Sequence, residues 1–96
     1  MTDGRSARRF VIRSKGRLRL GSGQAVDVQL HDISQTGCKL RDPSASVREG
    51  AAVRLWIASV GPFEAVVQWR NSSEAGLEFS QPLYEPVFDH LCATLG

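Results

Sequence analysis

The sequence predicts a six-stranded antiparallel β-barrel with a carboxy-terminal α-helix. Three observations carry this: short stretches in which apolar and polar residues alternate, glycine-bearing turns at close intervals between them, and a change to a four-residue apolar repeat in the last segment. Alternation gives each strand one face for a core. Closure into a barrel follows because six short strands left as an open sheet would expose unpaired edges.

Regular structure is expected to begin at Phe10, after residues 1–9, which lack apolar periodicity and read as a flexible basic arm. In Arg17-Leu18-Arg19-Leu20 charge alternates with leucine, the period of a half-buried strand. Gly21-Ser22-Gly23 marks a turn. Residues 25–33 resume the alternation with Val26, Val28 and Leu30 on one face, joined by Asp32 if the period runs unbroken, which makes a β-hairpin. Residues 34–37 form the next turn, 38–41 a short strand, and the Pro-, Ser- and Gly-bearing residues 42–50 the longest loop. Strands over 53–57 and 63–69 make a second hairpin with Gly61-Pro62 as its punctuation; 70–74 is a polar turn and 76–79 the last strand. Leu83, Val87, Leu91 and Leu95 then recur every fourth residue beside Phe88 and Cys92, and Pro86 suits a first helical turn, so a helix is expected from about residue 83. Residues 10–96 read as a single domain.

Ninety-six residues, 42% hydrophobic and 23% charged, build one modest core and leave no room for a second catalytic domain. No run approaches the roughly 18 apolar residues of a membrane span, and the amino terminus is polar, so the expected setting is the cytoplasm. Cys38 and Cys92 are too few for a disulfide scaffold and read as small apolar side chains. His31 and His90, the two histidines, fall in no metal-ligand spacing, no glycine-rich phosphate loop precedes a helix, and Ser34 has no histidine base. No metal, no cofactor and no enzymatic activity are expected.

The net charge of +2 is unevenly distributed. Residues 1–20 carry Arg5, Arg8, Arg9, Arg13, Lys15, Arg17 and Arg19 against Asp3, a charge of +6, whereas residues 21–96 carry −4. Arginine prevails in the basic segment, and a guanidinium offers a planar fork for phosphate or guanine and a face for stacking. A local clamp for an anion is the sharper reading; a solvated basic tail is the plainer one. The acidic remainder argues against a broadly basic surface for DNA or RNA. Arg17 and Arg19, alternating with leucines, read as a solvated strand face.

One hairpin separates the arginine cluster from Asp32-Ile33-Ser34-Gln35-Thr36-Gly37. Arg-x-x-x-Arg followed some twenty residues later by Asp-x-Ser-x-x-Gly resembles the PilZ domain, whose members bind the bacterial second messenger cyclic di-GMP. Val67-Gln68-Trp69 followed by Gly76-Leu77-Glu78-Phe79 is similar to that family's closing pattern, so the resemblance spans nearly the whole chain. It implies a receptor whose ligand-binding residues are Arg5, Arg8, Arg9, Arg13, Asp32, Ser34 and Gly37. The chemistry is compatible: two phosphates call for cations, while guanine presents O6 and N7 acceptors to an arginine fork and N1 and N2 donors to a carboxylate such as Asp32. Ser34 supplies a hydroxyl, and Gly37 suits a turn needing positive φ or an approach too close for a Cβ.

The spacing is satisfied by Arg5 with Arg9, by Arg9 with Arg13 and by Arg13 with Arg17. The resemblance favours the first, because family members place the second arginine just before the first strand. Here Ser6 follows Arg5 where many members have a second arginine, and Arg8 stands as an additional ligand. Trp56 and Trp69 read as core or surface braces, with base stacking the alternative. The apolar stripe of the tail helix reads as core against the barrel, a downstream protein or a second copy of the chain being the alternatives. Ligand binding is expected to order the arm and change the surface offered to a protein partner. A PilZ-like adaptor that binds no nucleotide is the competing expectation, and a barrel binding single-stranded nucleic acid the third.

Overall fold

The computed structural model describes residues 9–42 and 47–95; the expected arm, apart from Arg9, lies outside them. The strands are β1 (Phe10–Leu20), β2 (Ala25–Ile33), β3 (Gly37–Arg41), β4 (Ala52–Ile57), β5 (Val60–Arg70) and β6 (Glu74–Phe79), followed by the helix α1 (Glu85–Leu95). Every neighbouring pair is antiparallel, and the order β1-β2-β3-β6-β5-β4 closes on itself into the predicted barrel. Leu18, Leu30, Ile33, Leu40, Leu55, Ile57 and Val67 fill its interior and are almost wholly removed from water. Each full burial contributes about 1.5–3 kcal/mol, which is what makes closure favourable.

The ladders carry four register shifts; the one between Val11 and Ser14 leaves the alternation of β1 intact, and the other three are described in turn. His31 is an extra residue in β2 against β3, since Leu30 pairs with Leu40 and Asp32 with Lys39. The period slips there by one. Leu30 and Ile33 both face the core, and Asp32, which unbroken alternation places beside Leu30, turns outward. Gln68 is likewise extra in β5 against β6, so Gln68 and Trp69 both lie on the outer wall after buried Val67. The third bulge corrects the expected hairpin: Ile57 pairs with Val60, the reversal is Ala58-Ser59, and Gly61-Pro62 lies inside β5 opposite Trp56. A bulge is where proline is tolerated in a strand, because it has no N–H for the ladder.

The helix begins at Glu85 rather than near 83, for a physical reason. The N–H of Leu83 donates to the carbonyl of Gln35 at 2.7 Å and its carbonyl accepts from Gln35 Nε2 at 3.1 Å, so the backbone of Leu83 is already committed. Tyr84 then supplies the carbonyl for the first turn, accepting from the N–H groups of Val87 and Phe88. Phe88 and Leu91 bury against the barrel end, where Phe88 meets Phe10 edge-on at 5.5 Å between ring centroids. The apolar stripe of the tail is thus core, with Val87, Cys92 and Leu95 packed at its margin.

The long loop is anchored at both ends. Asp42, 2% exposed, accepts from Arg70 Nη1 at 3.0 Å and from the N–H of Val47 at 3.1 Å, while the same Arg70 nitrogen donates to the carbonyl of Val47 at 2.8 Å. Arg70 Nη2 also donates to the carbonyl of Asp42. One guanidinium at the end of β5 therefore holds both ends of residues 42–47.

Candidate functional site

The bulges in β2 and β5 set the outer wall. In register, Trp69 of β5 lies beside Gly76 of β6, Gly76 beside Lys39 of β3, and Lys39 beside Asp32 of β2. Arg9, immediately before β1, closes the row: its Nη1 donates to Asp32 Oδ1 at 2.6 Å. The Asp32 side chain is 17% exposed and Arg9 58%, so the pair sits at a rim, the carboxylate mostly covered and the guanidinium largely in water. Lys39 Nζ lies 4.0 Å from the other carboxylate oxygen. The Asp32 carboxylate thus stands between two cations.

These residues line one cleft of about 530 Å³, together with Thr36, Gly37, Gln68 and Glu78. Two glycines shape it. A Cβ on Gly76 would lie 2.9 Å from Trp69 Cδ1 and nearer still to other ring atoms, so the indole rests directly on the β6 backbone. A Cβ on Gly37 would collide with the backbone oxygen of Leu77, and of the two reasons for glycine here the close approach of β3 to β6 is the one that applies. Trp69 is a surface brace, 39% exposed, with one ring face spent on Gly76.

Ser34 lies beneath this wall, 1% exposed. Its Oγ accepts from the N–H groups of Thr36 and Gly37, each at 3.2 Å, and is within bonding distance of Thr36 Oγ1 and the Gly37 carbonyl. The backbone closes the same loop through Ser34 N–H to the Gly37 carbonyl at 2.8 Å. The serine therefore builds the turn whose walls are Thr36 and Gly37. Arg13 is exposed on β1 and opens onto a different hollow, with Gln29, His31 and Arg41. Arg5 and Arg8 lie outside the described residues. The structure therefore brings together Arg9, Asp32 and Gly37, holds Ser34 under them, and sets Arg13 apart.

Cys38 adjoins the cleft but faces the core. Burial, reinforced by the charge of Asp32 and opposed by Arg9, pushes its thiol up to about 12. It is a neutral, inert side chain at any ordinary pH. Among the described residues no group of three or more His, Cys, Asp or Glu could hold a metal ion, and no helix is long and apolar enough to cross a membrane.

Trp69 carried base stacking as the alternative to a surface brace, whereas Lys39 and Glu78 were not singled out as ligand candidates from the sequence. Lys39 carried one usable signal, since the alternation of β3 aims it outward between Cys38 and Leu40. Nothing in the sequence placed it next to Asp32, because that depends on the bulge at His31.

Fold and cleft define a small closed β-barrel with a charged site where the chain enters the first strand. The PilZ domain model matches residues 3–92, and the chain belongs to that family. PilZ domains are receptors and adaptors for cyclic di-GMP signalling rather than enzymes. No curated protein matches the chain.

Proposed function

We propose that this protein is a cytoplasmic, non-catalytic receptor for cyclic di-GMP. The observation that carries the reading is the pairing of Arg9 with Asp32 at the rim of the 32–37 turn, on the wall shared with Lys39 and Trp69. Each partner of that ion pair is exposed enough to exchange it for a ligand group of the same sign. Arg9 exchanges a carboxylate for phosphate or for guanine O6 and N7; Asp32 exchanges a guanidinium for guanine N1 and N2 donors. Lys39 adds positive charge at the same carboxylate. Gly37 keeps the wall open to a ring, and Ser34 acts through the turn, holding Gly37 and Thr36 in place.

Of the arginine registers, Arg5 with Arg9 is the best supported, since Arg9 lines the cleft and Arg13 faces another hollow. Arg5 and Arg8 then close over the ligand, and ordering of the arm alters the surface met by a downstream protein. The test is titration calorimetry with cyclic di-GMP. A Kd of micromolar or tighter, about −8 kcal/mol, is expected, with binding abolished or weakened at least tenfold in Arg9→Ala and in Asp32→Ala. Absence of binding by the folded wild-type protein would overturn the receptor reading and leave the nucleotide-independent adaptor, whose partner set in a pull-down would be indifferent to Arg9→Ala.

A further inference from the structure

The basic segment is divided between two faces of the barrel. Arg9 serves the cleft, but Arg13, Lys15, Arg17 and Arg19 project from alternate positions of β1 onto its outer side, with Ile12, Ser14, Gly16 and Leu18 buried between them. Alternate positions on a strand recur about every 6.8 Å, so Lys15, Arg17 and Arg19 form a regular row, whereas Arg13 lies at a register shift against β2 and opens onto the hollow with Gln29, His31 and Arg41. β4 extends the row: Arg17 pairs across the sheet with Trp56, and Arg19 with Arg54. In the closed order, β1 and β4 lie opposite the β3–β6 wall that carries the cleft. The two regions are separate.

This face is concave as well as charged. One hollow of about 600 Å³ is lined by Arg17, Arg19, Gln24 and half-buried Trp56. A second, of about 530 Å³, runs on past Arg54 and Ala52, and the two share Arg19 and Ser22. The two hollows therefore adjoin at Arg19 and Ser22, beside the β1–β2 turn. Arg19 is preset at the junction, its Nε donating to the Gly23 carbonyl at 2.9 Å and leaving the rest of the fork to a ligand. The neighbouring carboxylates are Asp27, which pairs with Arg17 from β2, and Glu64, 4.0 Å from Arg54 Nε. Four cations, Lys15, Arg17 and Arg19 on β1 and Arg54 on β4, outweigh these two carboxylates.

We propose that these adjoining hollows bind single-stranded nucleic acid, Arg17, Arg19 and Arg54 taking phosphates and Trp56 stacking on a base. A row of spaced cations matches a polymer of phosphates better than a mononucleotide, and two joined hollows give a path rather than a socket. An aromatic ring beside a backbone-tracking basic groove is the arrangement that binds single strands irrespective of sequence. A bilayer surface fits less well. Membrane anchoring uses aromatic side chains that protrude, whereas Trp56 is half-buried in a concavity.

The test is fluorescence anisotropy of the full chain with a labelled oligouridylate of about twelve nucleotides, within the roughly 4–16 that a small barrel covers. Binding is expected to weaken roughly twentyfold between 50 and 200 mM salt if about three phosphates are neutralised. Arg17→Ser with Arg19→Ser is expected to weaken it at least tenfold, and Trp56→Leu at least fivefold, with far-UV circular dichroism unchanged. Arg9→Ala, on the opposite wall, leaves it intact. In a Trp69→Phe background the remaining indole, Trp56, is quenched by the oligonucleotide. The inference is overturned if the oligonucleotide does not bind, if binding survives the double arginine substitution, if Arg9→Ala abolishes it, or if vesicles of phosphatidylglycerol bind where the oligonucleotide does not.

Discussion

Asp32 owes its exposure to one extra residue in β2. Had β2 kept its period, the carboxylate would have entered the core next to Leu30, where an unpaired charge costs several kcal/mol. Gly37 is a second residue whose identity follows from its neighbours: Gly37→Ala drives a methyl group into the Leu77 carbonyl oxygen and forces β3 from β6. The expected cost is about 1–3 kcal/mol in chemical denaturation, with ligand affinity falling in parallel because the cleft lies on the same two strands. Cys38 provides a pH test. A thiol whose pKa rises from 9.0 to about 12 on folding keeps its proton in the native state while the unfolded chain loses it. Stability is therefore full below pH 9 and declines above it, by up to about 1.4 kcal/mol per pH unit. Denaturation midpoints measured from pH 8 to 10.5 should fall, and Cys38→Ala should flatten the decline.

At the level of elements, the sequence made the strands legible and the turns partly so. Arg17-Leu18-Arg19-Leu20 and residues 25–30 announced the first hairpin by alternation alone, because side-chain direction in a strand has period two. The Ala58-Ser59 reversal escaped notice because Gly61-Pro62, three residues on, has the stronger turn composition and is used as a bulge. The anchoring of the long loop was invisible for another reason. Asp42 and Arg70 are 28 residues apart and meet only when β3, β6 and β5 are side by side. Arg70→Met takes the guanidinium away from a carboxylate that is 2% exposed and from the Val47 carbonyl. It should destabilise by about 3–5 kcal/mol, read as a lower thermal midpoint and earlier proteolysis within residues 42–50. Arg70→Lys, which keeps charge but not the fork, should recover only part.

For the whole molecule, the turn at the cleft and the helix at the barrel end are joined by two hydrogen bonds between Gln35 and Leu83. Gln35 lies between Asp32 and Gly37, so under the receptor reading proposed above a displacement of the turn would pass to the segment from which α1 departs. Cyclic di-GMP should slow amide exchange at the start of α1 in wild-type protein. Gln35→Ala, which removes the side-chain bond, should reduce that protection while leaving affinity within about threefold.

Sequence alone determined the six strands, the terminal helix, most of the alternating core face and the residue types suited to an anionic ligand, since each depends on local period and composition. It did not determine which of those residues meet. Charge counted along the chain made residues 1–20 one basic segment, and closure of the barrel divided it, sending Arg9 to the cleft, Arg13 to a hollow beside Gln29, His31 and Arg41, and Arg17 and Arg19 to the β1–β4 wall. Bulges at His31, at Gln68 and at Gly61-Pro62 decided which side chains face out. A bulge is set by how two strands register against each other, and that information belongs to no single segment of the chain.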